Sequence, residues 1–409
     1  MARTKAVLSS GARLSDHLSA SLLARVYPAP LINQILDQQG RNSQRIRSFP
    51  ALAGVYYCMA LSLYPEASYE AVFSVVAQGL AWAEGRPEPS PVNKSSISEL
   101  RSKLGAEPLQ ALMAAACVPL ADPAHHPHAF YRGLRLVAID GSNIDLPDEV
   151  ENVTAFGYPG SRTGQAGYPQ AQCAVLVECG THALFAAHLG PYRSAEWAIC
   201  QPLLANLHAG MLCLADRGFN GYAHWQAARA TGADLLWRCA HNRRLPVVTA
   251  LPDGSYLSVI YPDDKARRQD MDGIPVRVIE YSLPKLDGAA IRYRLMTTLL
   301  SAEAAPAAEL AACYHARWQV EAVFDELKTH LQQGRRTLRS KTPELVRQEF
   351  YGWVLAHYAV RWLMHQVASA HRSRHDDLSF VGHVQLLRRT QPRSGAFPPR
   401  AGSRKALVS

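Results

Sequence analysis

Apolar residues recur at spacings of three and four from Leu18 to about Trp82, through LSASLLARVY, LINQILDQQG and LAGVYYCMALSLY, punctuated by Pro28, Pro30, Pro50 and Pro65. That period gathers the apolar positions on one side of each turn, so the region is predicted to be a set of short packed helices. GRPEPSPVNKSS (85–96) breaks the pattern as a Pro- and Ser-rich linker. SISELRSKLG follows as a helix, with Ser98 as its N-cap and Gly105 as its stop. The period then changes. LRLVAID (134–140) is a short apolar run closed by an acid, as a buried strand would be. AQCAVLVECGTHALFAAHLG is predicted to be two strands folded about Cys179, Gly180, Thr181 and His182. SAEWAICQPLLANL is predicted to be a helix, GMLCLAD (210–216) a strand, GYAHWQAARATG a helix and ADLLWRCA (233–240) a strand. From Leu245 to about Leu300 short strand-like pieces alternate with turns, and from Ala304 to about Ala370 the helical period returns.

Composition narrows the class. A chain of 409 residues that is 48% hydrophobic can bury two or three cores. Lys and Arg outnumber Asp and Glu by 43 to 34, and from His315 onward there are 16 basic and 7 acidic residues, so the C-terminal third carries the whole excess. A polyanion would meet that third first, although a solvated basic surface has the same composition. The eight cysteines form no CxxC pair and several sit inside apolar runs, as buried hydrophobes of a reducing cytoplasm do. The N-terminus has no long apolar segment of the secretory kind, and no stretch reaches the roughly 20 apolar residues of a membrane span, so a soluble, cytoplasmic protein is expected. DPAHHPH (122–128) is expected to be a solvated loop.

Two strand-like runs, LVAID and LCLAD, end in Asp140 and Asp216. Either acid alone would serve as an ordinary turn cap. Two acids on one sheet suggest more, because hard divalent cations take oxygen ligands, and paired ions roughly 3.5–4 Å apart stabilise both oxygens of a phosphoryl displacement. A third carboxylate lies in CYHARWQVEAVFDELKTHL. At about 100° per residue, Tyr314, Arg317, Glu321 and Lys328 share one helical stripe. A phenol, a guanidinium, a carboxylate and an ammonium make a poor core face and a good track for a phosphate backbone, while an ordinary i,i+4 pair on a solvated helix would explain Arg317 and Glu321 equally. Asp325 and Glu326 are rival acids on the same helix.

These residues resemble the DDE transposases of bacterial insertion sequences, in the group named for insertion sequence four. That group carries Tyr, two residues, Arg, three residues, Glu, six residues, Lys, and Tyr314, Arg317, Glu321 and Lys328 fit without a gap. Asp140 sits in a DGS triplet and Asp216 in DRGF, similar to the family's DGT or DGS and DRGY or DRNF, and the early helices look like the N-terminal domain attached to these enzymes. The resemblance implies an α/β fold: an RNase H-like mixed sheet with a β-rich insertion at about 245–300, behind an all-α N-terminal domain. It implies that Asp140, Asp216 and Glu321 bind two Mg²⁺ ions, with Mn²⁺ as a substitute, and that Tyr314, Arg317 and Lys328 hold the DNA backbone. It further implies cleavage at element ends, transfer of the 3′-hydroxyl into target DNA, and a homodimer on that DNA.

The expected organisation is an all-α domain at 1–95, a helical linker region at 96–130, the catalytic domain at 131–370 and a basic tail at 371–409. Relatives flip a base against an aromatic of the insertion. No Trp lies between Leu245 and Leu300, and Tyr256, Tyr261, Tyr281 and Tyr293 stay unassigned. Trp318 is expected in the core. The rival function is a catalytically inert DNA-binding remnant, and a simple metal-dependent nuclease shares the same acids.

Overall fold

The computed structural model describes residues 20–44, 49–83, 92–160, 167–219, 221–284, 290–371 and 378–389. The chain opens with helices α1 (Ala20–Val26), α2 (Ala29–Gln38), α3 (Ala51–Leu63), α4 (Tyr69–Ala83), α5 (Lys94–Leu104) and α6 (Glu107–Ala116). Nearly every residue of α3 is buried, because its sequence is apolar all round and its neighbours cover it on every side. α5 starts earlier than its sequence suggests: Asn93, not Ser98, is the cap, its side chain accepting from Ser96 N–H at 2.9 Å. Gly105 ends that helix as expected, at φ +71°.

The sheet begins with β1 (Phe130–Tyr131) and β2 (Leu134–Asp145). After α7 (Val150–Phe156) come the hairpin strands β3 (Gln170–Glu178) and β4 (Leu184–Pro191). α8 (Glu196–Cys200), β5 (Met211–Ala215), α9 (Tyr222–Arg229) and β6 (Asp234–Arg238) complete the central unit. The helix expected from Ser194 to Leu207 is only α8 followed by a 3₁₀ segment, Gln201–Asn206, because Pro202 removes an N–H donor. β2 runs antiparallel to β3 and parallel to β5, and β5 runs parallel to β6. This is the mixed sheet of the RNase H-like expectation.

The β-rich segment is no separate body. It contains β7 (Thr249–Ala250), β8 (Tyr256–Ile260), α10 (Asp264–Gln269), β9 (Ile274–Pro284) and β10 (Ala290–Thr297). β10 pairs antiparallel with β6, giving one sheet in the order β4-β3-β2-β5-β6-β10-β9-β8-β7. Buried Arg277 fastens the crossing that follows, donating to the carbonyls of Leu299, Ser301 and Ala305 and pairing with Asp253.

The last helices are α11 (Ala307–Tyr314), α12 (Gln319–Asp325), α13 (Pro343–His371) and α14 (Phe380–Arg389). α13 packs on α1, α3 and α6 along one side and on β4 along another. It lies so close to α3 that a Cβ built at Gly352 would fall 2.5 Å from the Cys58 carbonyl oxygen. The tail is therefore only partly a tail. Phe380, Val384 and Leu387, spaced as one helical face, are buried, and Arg388 donates to the carbonyls of Leu63 and Leu331. The cysteines among the described residues are free thiols. No helix among the described residues is long and apolar enough to cross a membrane.

Candidate active site

Asp140 does not end its strand, as the sequence suggests, but lies within β2. The parallel pairing with β5 stops at Ala138 and Leu214, and β2 continues beside β3 alone. Asp140 and Asp216 each follow that last pair by two residues, Asp140 still within β2 and Asp216 just past the end of β5. Each carboxylate is oriented by its own chain. Asp140 accepts from Gly141 N–H at 2.9 Å, and Asp216 accepts from Gly218 N–H at 2.7 Å.

The third acid arrives on a segment that is not a uniform helix. α11 passes into a 3₁₀ turn at His315–Trp318, then α12, then a π-helical stretch at Glu326–Leu331. A 3₁₀ turn advances each side chain by about 120° and not 100°, so the stripe drawn on an ideal helix is twisted apart. Arg317 and Glu321 remain together at the sheet: Arg317 Nη1 donates to Asp140 at 3.1 Å, and Nη2 donates to Glu321 at 3.1 Å. Its Nε is buried without an acceptor among the described residues. Lys328 reaches β2 two residues beyond Asp140, its Nζ donating to Ser142 Oγ.

Tyr314 is 1% exposed and its hydroxyl donates to the Ala215 carbonyl at 3.2 Å, so it braces the end of β5. Trp318 is 45% exposed, beneath the Arg317 guanidinium, and is not in the core. The rival acids also resolve. Asp325 pairs with His330 on the outer side of the helix. Glu326 is buried with His357 and Arg361, away from the cleft. In the histidine-rich loop, His126 is buried against His365 instead of solvated. Tyr281 and Tyr293 stack on each other, Tyr256 donates to Glu280 and Tyr261 to Asp270.

Sequence reasoning missed one acid. Glu196, the first residue of α8, reaches over β2 to the other two carboxylates. A Cβ built at Gly218 would meet Glu196 Oε2 at 2.8 Å and Asp216 Oδ1 at 3.0 Å, and one built at Gly141 would meet Glu196 Oε1 at 3.0 Å. An acid in a helix's first turn is so common that nothing in the sequence singles this one out. The crowding is visible in the protonation equilibria. Burial pushes the Asp140 carboxyl up to about 6 despite the opposing pull of Arg317, and Asp216 and Glu321 add to the rise. Burial, then the charges of Asp216 and Asp140, raise Glu196 above the usual carboxylate range.

Four carboxylates are the hard oxygen donors that Mg²⁺ or Mn²⁺ takes, so the donor chemistry fits a divalent site. In this arrangement Arg317 supplies the positive charge between Asp140 and Glu321. Among the described residues, however, no group of three or more acidic, histidine or cysteine side chains is placed so that it could hold a metal ion.

Residues 131–359 match the family model described as transposase DDE domain, and residues 17–114 match the one described as insertion element 4 transposase N-terminal. The chain is 27% identical over 341 residues to the transposase InsG for insertion sequence element IS4 of Escherichia coli strain K12, which spans 83% of this chain and 75% of InsG. Among solved structures it is similar to the piggyBac transposase in a synaptic complex with hairpin DNA. That likeness has a TM-score of 0.46 at 10% identity, over 91% of this chain and 79% of the other.

Proposed function

The chain belongs to the transposase DDE-domain family, a family of DNA transposition, and from that premise we propose that it cuts DNA at insertion-element ends and transfers the freed 3′-hydroxyl into target DNA. Asp140, Asp216 and Glu321 are the metal-binding acids of this reading. The observation that supports it is the bridge of Arg317 between Asp140 and Glu321, beside the end of the β2–β5 pairing that Asp216 follows. Two bound Mg²⁺ ions, or Mn²⁺ in their place, would supply charge stabilisation at the attacking and leaving oxygens.

The chain's own residues do the rest. Arg317 releases Asp140 and Glu321 when a phosphate enters, since its planar fork suits a phosphodiester as well as a carboxylate. Its partnerless Nε supports that second use. Lys328, held by Ser142, keeps an ammonium at the cleft floor for the adjoining phosphate. Burial raises the Asp140 carboxyl and Arg317 opposes the rise, a counter-charge role that a bound cation would share. Two copies of the chain acting on paired element ends complete the proposal.

The test is a cleavage and joining assay on a plasmid carrying the parent element. Asp140→Asn, Asp216→Asn and Glu321→Gln each abolish cleavage while retaining the gel shift of an end fragment. Full activity in any of the three would sink the assignment. A wild-type chain that shifts the DNA and releases no product would instead be the inert remnant.

A further inference from the structure

We infer that the cavity between α4, α5 and the segment leading into α13 holds a backbone phosphate of the DNA at the element end, several nucleotides from the cut; this rests on the transposase reading above. Asn93 caps α5, so Lys94, Ser98 and Arg101 fall at i, i+4 and i+7 and share one face of it. That face meets Tyr69 and the stretch RRTLRSK (335–341) around an open cavity of about 570 Å³. Five cations line it, Lys94, Arg101, Arg335, Arg339 and Lys341, against one acid, Glu70. Of the five, only Lys341 is paired with a carboxylate among the described residues, that of Glu149. Arg101 is 3% exposed, yet its guanidinium donates to the neutral side chains of Gln348 and Ser340 and not to an acid. Glu349 nearby accepts instead from the backbone of Arg339 and Ser340 and from the Ser340 hydroxyl.

Like charges gathered in one place repel, and here an aromatic ring rather than an acid holds them together. Arg339 lies 4.3 Å from the centroid of the Tyr69 ring, Lys94 5.8 Å and Arg101 5.9 Å. Cation–π contacts position such groups without neutralising them. Arg339 Nη1 is also buried with no acceptor among the described residues. A phosphodiester supplies both missing things, the negative charge and the acceptor oxygens. The setting of the cavity identifies the phosphate as one of a DNA strand. Thr337 bridges to Asp145 and Leu338 N–H donates to the Asp145 carbonyl, so the cavity wall is fastened to the strand that carries Asp140. Asp145 lies five residues beyond Asp140 on β2, roughly 17 Å at about 3.3 Å per residue, and Lys328 stands between them at Ser142. A duplex advances about 3.4 Å per base pair, so a strand cut at the acids reaches the cavity about five nucleotides away. A small free anion needs no such alignment.

The test uses the full-length protein and a fluorescent duplex carrying the parent element's end, titrated at several salt concentrations for the wild type, Lys94→Gln, Arg339→Gln and Arg339→Lys. Far-UV circular dichroism and melting verify each fold. Lys94 is exposed at the start of α5, so Lys94→Gln keeps the test decisive if an Arg339 variant misfolds. The expected result is that each Gln variant binds the duplex about tenfold more weakly and lowers the slope of log affinity against log salt by about one, and that Arg339→Lys recovers part of the loss. A neutral methylphosphonate about five nucleotides from the cut should weaken binding by the wild type and make no difference to Arg339→Gln. If both Gln variants keep the wild-type affinity and slope while cleavage still needs Asp140, Asp216 and Glu321, the cavity holds no DNA and the transposase reading stands. If inorganic phosphate at matched ionic strength stabilises the wild type but not Arg339→Gln against melting, while both bind the duplex alike, the site takes free phosphate and this inference is overturned. If the wild type neither binds nor cuts the end, the transposase reading fails and this inference falls with it.

Discussion

Replacing Glu326 by Gln tests the packing logic behind the catalytic helix. Glu326 opens the π-helical stretch and accepts from Arg361 Nε at 3.0 Å, from Arg361 Nη2, and from His357 Nε2 at 2.8 Å. Arg361 Nη2 also lies 2.7 Å from His182 Nδ1. Burial lowers the pKa of His357. The cluster thus holds one carboxylate against one guanidinium, and Arg361 is only 5% exposed. Glu326→Gln keeps the shape and strands that guanidinium, which costs about 3–5 kcal/mol. Glu326→Gln combined with Arg361→Met removes both charges and is expected to regain most of the loss. Urea unfolding followed by tryptophan fluorescence measures both. Burial pushes the Glu326 carboxyl up, but the imidazoles of His182 and His357 and the charge of Arg361 outweigh it and hold the group well below the usual range. Its folded pKa is thus depressed, so the stabilisation is complete above the unfolded value of roughly 4.3 and is lost as pH falls through the folded one. The gap between wild type and Glu326→Gln should stay constant from neutral pH down to roughly 4.3, narrow as pH falls further, and be closed below the folded value. A single-mutant loss under about 1 kcal/mol, or a double mutant no better than the single, would refute the reasoning.

Three further outcomes are expected. Gly352→Ala drives a methyl into the Cys58 backbone, which cannot step aside as a side chain could, and should destabilise by about 1–3 kcal/mol or more in the same urea assay. Arg317→Ala removes the positive charge shared by Asp140 and Glu321, so Mn²⁺ should bind the DNA-free protein about tenfold more tightly while cleavage falls; weaker Mn²⁺ binding would count against Arg317 as the resident counter-charge. Tyr314→Phe removes one hydrogen bond to the Ala215 carbonyl and should cost about 0.5–1.5 kcal/mol of stability while leaving end binding in a gel shift unchanged, whereas a lost shift would restore a DNA role for the phenol.

What could be read from the sequence follows what is local. Asp140 and Asp216 stand out because each closes an apolar run, and the β3–β4 hairpin because Cys179 to His182 separates two such runs. Glu321 stands out because charged groups recur on one side of an otherwise apolar helix. The placements of Tyr314 and Trp318 were not legible, since their facing depends on a 3₁₀ turn that breaks the assumed period. Glu196 was hidden among ordinary first-turn acids, and only the packing of α8 over β2 gives it meaning. Nor could local pattern reveal that β10 pairs with β6, a contact between residues some sixty positions apart that joins the β-rich insertion to the central sheet. α14 was concealed because its three buried side chains sit in a strongly basic stretch.

The long helix α13 has a genetic corollary. At about 1.5 Å per residue its 29 residues form a rod of about 43 Å shared by the N-terminal helices and the catalytic sheet. A frameshift or stop codon upstream of Pro343 would therefore deprive both halves of their common surface at once, and such a product is expected to be degraded before it occupies DNA. On the proposed reading, a missense change at Asp140, Asp216 or Glu321 would spare that rod and is expected to yield a stable protein that binds element ends without cutting. Damaged copies of this gene should accordingly divide into two kinds: nonsense alleles that are silent, and missense alleles that act as dominant repressors of their intact siblings.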